Sequence, residues 1–140
     1  MQIPPKLKAL VLDSVKRHAW NIGVSHYIGD ILWMEEDKTG EGDRDTYKVH
    51  ASIDIDRRYL RATLKLHPIF IENWKSDGNE YVENTIAHEI AHIATQHCYD
   101  IATATYRNEG EMKDAWEMLT EMIGRLSSKL DAERRPKKKV

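Results

Sequence analysis

The chain has 140 residues, of which 41% are hydrophobic and 31% charged, with a net charge of −2. This length fits one domain with its own core, and the composition is neither that of a disordered polar chain nor that of a membrane protein. No apolar run approaches the roughly 20 residues that cross a bilayer. The opening MQIPPKLK has neither the apolar stretch nor the small-residue cleavage site of a secretory signal. The lone cysteine, Cys98, excludes an intramolecular disulfide framework and a multi-cysteine zinc module. The expectation is a cytoplasmic, intracellular setting with no membrane contact.

In chain order, Leu7, Leu10, Val11 and Val15 have the spacing of an amphipathic helix, with Pro4 and Pro5 in its first turn and Gly23 just beyond its end. A strand is expected around Tyr27–Glu35. The polar stretch Glu36–Thr46, with Gly40 and Gly42, reads as a mobile connection. Two period-two runs follow, with Val49, Ala51, Ile53 and Ile55 on one face of the first and Leu60, Ala62, Leu64 and Leu66 on one face of the second. Such alternation describes half-buried strands, here joined by the polar turn Asp56-Arg57-Arg58.

Beyond Asp77-Gly78 the period lengthens. Val82, Ile86, Ile90 and Ile93 form one helical stripe, and Asp77 and Glu80 have capping-box spacing. A second long helix begins near Asn108, with an apolar set of Met112, Ala115, Trp116, Leu119, Met122, Ile123, Leu126 and Leu130. The fold class is therefore α+β: an N-terminal helix, a small sheet of about three to four strands, and two C-terminal helices.

The chemistry concentrates in His88-Glu89-Ile90-Ala91-His92, an H-E-x-x-H sequence. Two histidines four apart on a helix project from one face and reach a single zinc ion, while the glutamate reaches a water on that ion as general base. A chain of this composition contains such a match by chance only about 0.03 times. At about 100° per residue the two histidines lie off the apolar stripe, on a second face of the same helix.

A catalytic zinc needs a third protein ligand. Glu111, 19 residues after His92, is the leading candidate, with Glu109 and His97 as alternatives and Asp100 behind them. Capping-box spacing from Asn108 gives Glu111 an ordinary structural reading as well. On a continuous helix His97 falls within the apolar stripe, away from His88 and His92. Tyr81, Tyr99 and Tyr106 lie within range of the site by sequence, with no feature that selects one of them as an oxyanion stabiliser.

These residues resemble the zincin metallopeptidases. Within that clan, residues 59–124 are similar to the SprT/Spartan-like proteases and the small single-domain gluzincins, in which a strand leads to the H-E-x-x-H helix and the third ligand follows on the next helix. The Trp116…Ile123-Gly124 spacing is shared with SprT-like domains. Those domains carry histidine before the aromatic, where this chain has Glu109-Gly110 and Glu111. Gluzincins use glutamate, often with an aspartate four residues later, whereas Lys113 and Ala115 stand four residues after Glu109 and Glu111 and Asp114 is close by. The resemblance implies a zinc-dependent metalloendopeptidase acting on a polypeptide. It also implies an edge strand, Leu60–Leu66, that binds substrate alongside the active-site helix and carries Arg61, Thr63 and Lys65 on its other face. On this reading residues 1–131 form one zincin-like domain.

Arg134, Arg135, Lys137, Lys138 and Lys139 concentrate five positive charges at the end of the chain, and taking these from the net −2 leaves −7 for residues 1–133. Residues 132–140 read as a disordered basic tail able to touch DNA weakly. The rival to proteolysis is a zincin-fold module that binds a protein or DNA partner and cleaves little.

Overall fold

The computed structural model describes residues 2–41, 46–56, 58–105 and 109–134. Helix α1 (Pro5–Ile22) starts with proline at its first turn, where no amide hydrogen is needed. It ends at Gly23, whose φ of 83° is the left-handed cap conformation that glycine adopts without steric cost. Leu7, Val11, Val15 and Ala19 are its buried face, as the spacing predicts.

The strands are β1 (Ile28–Trp33), β2 (Lys38–Glu41), β3 (Thr46–Val49), β4 (Ala51–Asp56) and β5 (Arg61–Leu66). β1, β5 and β4 form one sheet in that order, β1 parallel and β4 antiparallel to β5. β2 and β3 pair separately as an antiparallel ribbon, Lys38 opposite Val49 and Glu41 opposite Thr46. Part of the expected connection Glu36–Thr46 is thus a β ribbon, which polar, exposed residues conceal from a hydrophobic-period argument. The run from Val49 to Ile55 is also divided, since β3 ends at Val49 and β4 begins at Ala51.

Helix α2 (Pro68–Asp77) follows β5 directly and has no counterpart in the sequence reading. It is short and buries only Phe70 and Ile71, too few positions to display a period. Helix α3 (Asn79–Thr105) then runs through the middle of the molecule, packed on α1, α4 and β4, and α4 (Glu109–Arg134) lies along it. Leu7, Val11, Leu64, Leu66, Phe70, Val82, Ile86 and Ile90 make the centre of an α+β core between helices and sheet. The C-terminal helix continues three residues into the expected tail, with Arg134 donating to Asn21 Oδ1 at 3.0 Å. Residues 135–140, including Arg135 and Lys137–Lys139, lie outside the described residues.

The orientation of α4 departs from ordinary amphipathic packing. Its inward side carries Thr120, Gly124, Ser127 and Asp131, all buried. Its apolar stripe points outward, with Met118, Leu119, Met122 and Leu126 exposed. Small and polar residues let α4 approach α3 closely. A Cβ on Gly124 would stand 3.1 Å from the His88 amide nitrogen and 3.2 Å from the Ala87 carbonyl.

Where α1, α3 and α4 meet, the contact is ionic. Arg17 on α1 bonds Glu83 on α3 and Asp131 on α4, and it also reaches Asp13 at 2.7 Å. Fully buried His18 sits between Ser127 Oγ (2.6 Å) and Glu83 Oε2 (3.0 Å), so both ring nitrogens are satisfied.

Candidate metal centre

His88 and His92 stand on adjacent turns of α3 with ring centroids 4.8 Å apart and planes at 88°. Facing them from α4 is Glu117. Its Oε2 lies 3.2 Å from His88 Nε2 and its Oε1 lies 3.6 Å from His92 Nε2. One ligand atom from each of these three residues falls within 4.8 Å of the others, close enough for all three to hold a single cation.

The other ring nitrogens are held from behind. His88 Nδ1 is 2.6 Å from Glu121 Oε2, and His92 Nδ1 is 3.4 Å from Thr120 Oγ1. A carboxylate on Nδ1 holds the proton there, so that Nε2 would be the nitrogen that gives up its proton to a metal, the arrangement found behind metal-ligating histidines. The donor set of two imidazoles and one carboxylate suits zinc and leaves a coordination position open.

The seam below the three residues is built of hydroxyls. Thr95 Oγ1 on α3 meets Thr120 Oγ1 on α4 at 2.8 Å, and Trp116 Nε1 donates to the same Thr95 oxygen at 2.8 Å. Trp116 also lies against the His92 ring, centroids 4.6 Å apart, and is stacked by Tyr99 at 4.1 Å.

Charge follows this geometry. Hydrogen bonding to Glu117, reinforced by Glu121 and opposed by burial, lifts the metal-free His88 imidazole to about 9. Burial drives His92 down. The His88 hydrogen bond holds Glu117 below the usual carboxylate range. Glu89 is the outlier: burial, with the Glu117 charge adding to it, pushes its carboxyl up to about 8 despite the pull of His88. A buried acid so displaced beside a ligand cluster is suited to accept and return a proton near neutral pH. Glu89, His88 and Glu121 line one concavity of about 240 Å³ with Asn84 and Thr85. A larger concavity of about 1100 Å³, beside Val24, Tyr27, Ile55 and Ile93, contains none of these groups.

The structure thus brings His88, Glu89 and His92 together and sets Glu117, in place of Glu111, beside the two histidines. Glu111 is exposed on the first turn of α4, six residues and about 9 Å of helix rise before Glu117, and the described ligand cluster contains Glu117 in its place. The side chains of Glu109 and His97 lie outside the described residues. Asp100 accepts from Gln96 at 2.9 Å. Tyr81 contacts His50 (OH to Nδ1, 2.7 Å), and Tyr106 lies outside the described residues.

The expected substrate strand also needs correction. β5 is bonded on both sides and is the central strand, so it offers no edge; β1 and β4 are the edges. Arg61 and Lys65 pair with Asp30 and Asp54 at 3.4 and 2.6 Å, and Thr63 stands between Asp30 and Asp54 in the register, all away from the helices.

A second grouping of possible ligands, His18, Glu83 and Asp131, differs in character. The Arg17 guanidinium bonds both carboxylates there, so a fixed cation already occupies an oxygen of each. That cluster ties three helices together.

No protein-family model, no curated protein and no solved structure matches this chain.

Proposed function

We propose that the protein is a zinc-dependent metalloendopeptidase. The observation that carries this reading is the convergence of His88 Nε2, His92 Nε2 and the Glu117 carboxylate on one point, with Glu89 buried at its side. These three residues would hold the metal, and Glu121 orients His88. A zinc ion bound there supplies a Lewis acid that lowers the pKa of a water toward 7 and polarises a substrate carbonyl. Glu89 takes a proton from the attacking water and delivers it to the departing amine. Glu121 stands four residues after Glu117, where the gluzincin pattern has aspartate. β4, the edge strand packed on α3, is the strand along which an extended polypeptide gains backbone hydrogen bonds.

Metal analysis of purified protein tests the site. About one zinc per chain, lost in His88→Ala, is expected. Less than roughly half an equivalent, unaffected by His88→Ala, overturns the reading. Hydrolysis of an unfolded protein substrate, abolished in Glu89→Gln, tests the activity. A Glu89→Gln variant that keeps zinc and performs the biological role unchanged identifies a binding module instead.

A further inference from the structure

Helix α4 turns its apolar side to solvent. Met118, Met122 and Leu126 are 66%, 57% and 64% exposed, Leu119 is 43% exposed, and Ala115 is exposed beside them. Their spacing of three and four residues makes one continuous stripe about 100° wide. At typical side-chain areas it presents about 450 Å² of apolar surface, the size of patch that on a soluble protein marks a contact site. With its charged margins the face approaches the roughly 800 Å² per partner of a standard interface.

The margins indicate the occupant. Exposed Asp114 lies on the N-terminal half of this face and exposed Lys129 on the C-terminal half, along the same edge of the stripe, while Arg125 is held by Glu121 on its own helix at 3.0 Å and exposed Glu133 follows the stripe at its C-terminal end. A two-fold axis perpendicular to two such helices, passing between them at the level between Leu119 and Met122, places Asp114 of one copy near Lys129 of the other. Parallel pairing would set this edge against the opposite edge of the stripe and bring no such pair together. In the antiparallel arrangement Leu119 meets Met122 of the second copy, Ala115 makes room for Leu126 of the second copy, and the helix dipoles oppose. A membrane surface would call for a predominantly basic margin, which a half-acidic edge does not provide.

We infer that two copies of this chain associate through the outward face of α4, antiparallel and symmetric about the Leu119–Met122 region. The contact would use the side of α4 opposite Thr120 and Gly124, so it is compatible with the packing of α4 on α3.

Sedimentation velocity of the full chain tests this. At about 50 µM the wild type should sediment at twice the 16.3 kDa chain mass. Met122→Glu should sediment as a monomer with unchanged helical circular dichroism. Asp114→Lys should weaken association about 3- to 10-fold, and adding Lys129→Glu should restore it to within about twofold. A wild-type monomer at that concentration overturns the proposal, whether the face is then covered by residues 135–140 or left for a different partner. A dimer indifferent to Met122→Glu overturns it too, and a charge swap without rescue overturns the antiparallel arrangement. Should Met122→Glu fail to fold, Met122→Cys in a Cys98→Ser background decides: a short bis-maleimide should trap the dimer, and only monomer in its presence counts against the interface.

Discussion

Glu121 Oε2 stands 2.6 Å from Nδ1 of His88, while Nε2 of the same ring faces Glu117. One helix, α4, therefore supplies both the facing carboxylate and the group that decides which histidine nitrogen is free. Glu121→Gln should weaken zinc binding about 10- to 100-fold, the usual effect of removing a partner behind a ligating histidine. Glu117→Ala should weaken it further, and Glu111→Ala should leave it unchanged. Competition with a chromophoric chelator measures all three.

Glu89→Gln should retain zinc and lose about 10²- to 10⁴-fold in peptide hydrolysis, the range expected for removal of a general base. The same change should raise the stability of the chelated protein by about 1 kcal/mol, because a neutral amide replaces a carboxyl whose ionised form burial disfavours. Thermal melts in a strong chelator check the second effect, and hydrolysis assays the first.

Gly124→Ala should loosen the α3–α4 seam. The new methyl would lie 3.1–3.2 Å from the backbone of Ala87 and His88, and backbone in mid-helix cannot step aside as a flexible side chain can. Overpacking of this kind costs about 1–3 kcal/mol. Calorimetry should show a lower Tm, with weakened zinc affinity because Glu117 moves with its helix.

Acid should unfold the protein partly through Glu83. Burial alone would raise its carboxyl, but hydrogen bonds from His18, Arg17 and Ser14, with the Arg17 charge, hold it at about 2. A folded-state value below the ordinary 4.5 stabilises the fold above pH 4.5, and that contribution is lost as pH falls toward 2. Its size is about 2–3 kcal/mol. Glu83→Gln should flatten the acid limb of a stability–pH curve measured by urea titration and lower stability at pH 7.

Legibility in the sequence followed apolar period. α1, β5 and the apolar stripe of α3, which places His88 and His92 on a second face, were readable because their buried residues recur at 3.6 or 2.0. α2 and the β2–β3 ribbon were not, since each buries too little to leave a pattern. The third carboxylate was obscured for a related reason. With α4's apolar stripe facing solvent, the side that meets α3 is marked by Glu117, Thr120, Glu121, Gly124, Ser127 and Asp131. That recurrence of small and acidic residues at steps of three and four was the available signal. The central position of β5 depends on pairing between β1 and a strand about 30 residues later, which local alternation does not encode.

The paired threonines at the α3–α4 contact act as an alignment key. Oily side chains tolerate sliding along a neighbour, whereas the Thr95 oxygen, which also bonds the Ala91 carbonyl of its own helix, meets two directional partners on α4, Thr120 and Trp116, at fixed heights. Shifting α4 by one turn, about 5.4 Å, would part the Thr120 hydroxyl and the Trp116 indole from Thr95 and carry Glu117 clear of both imidazoles. The accuracy with which the coordinating oxygen is presented is thus inherited from two hydroxyls and an indole.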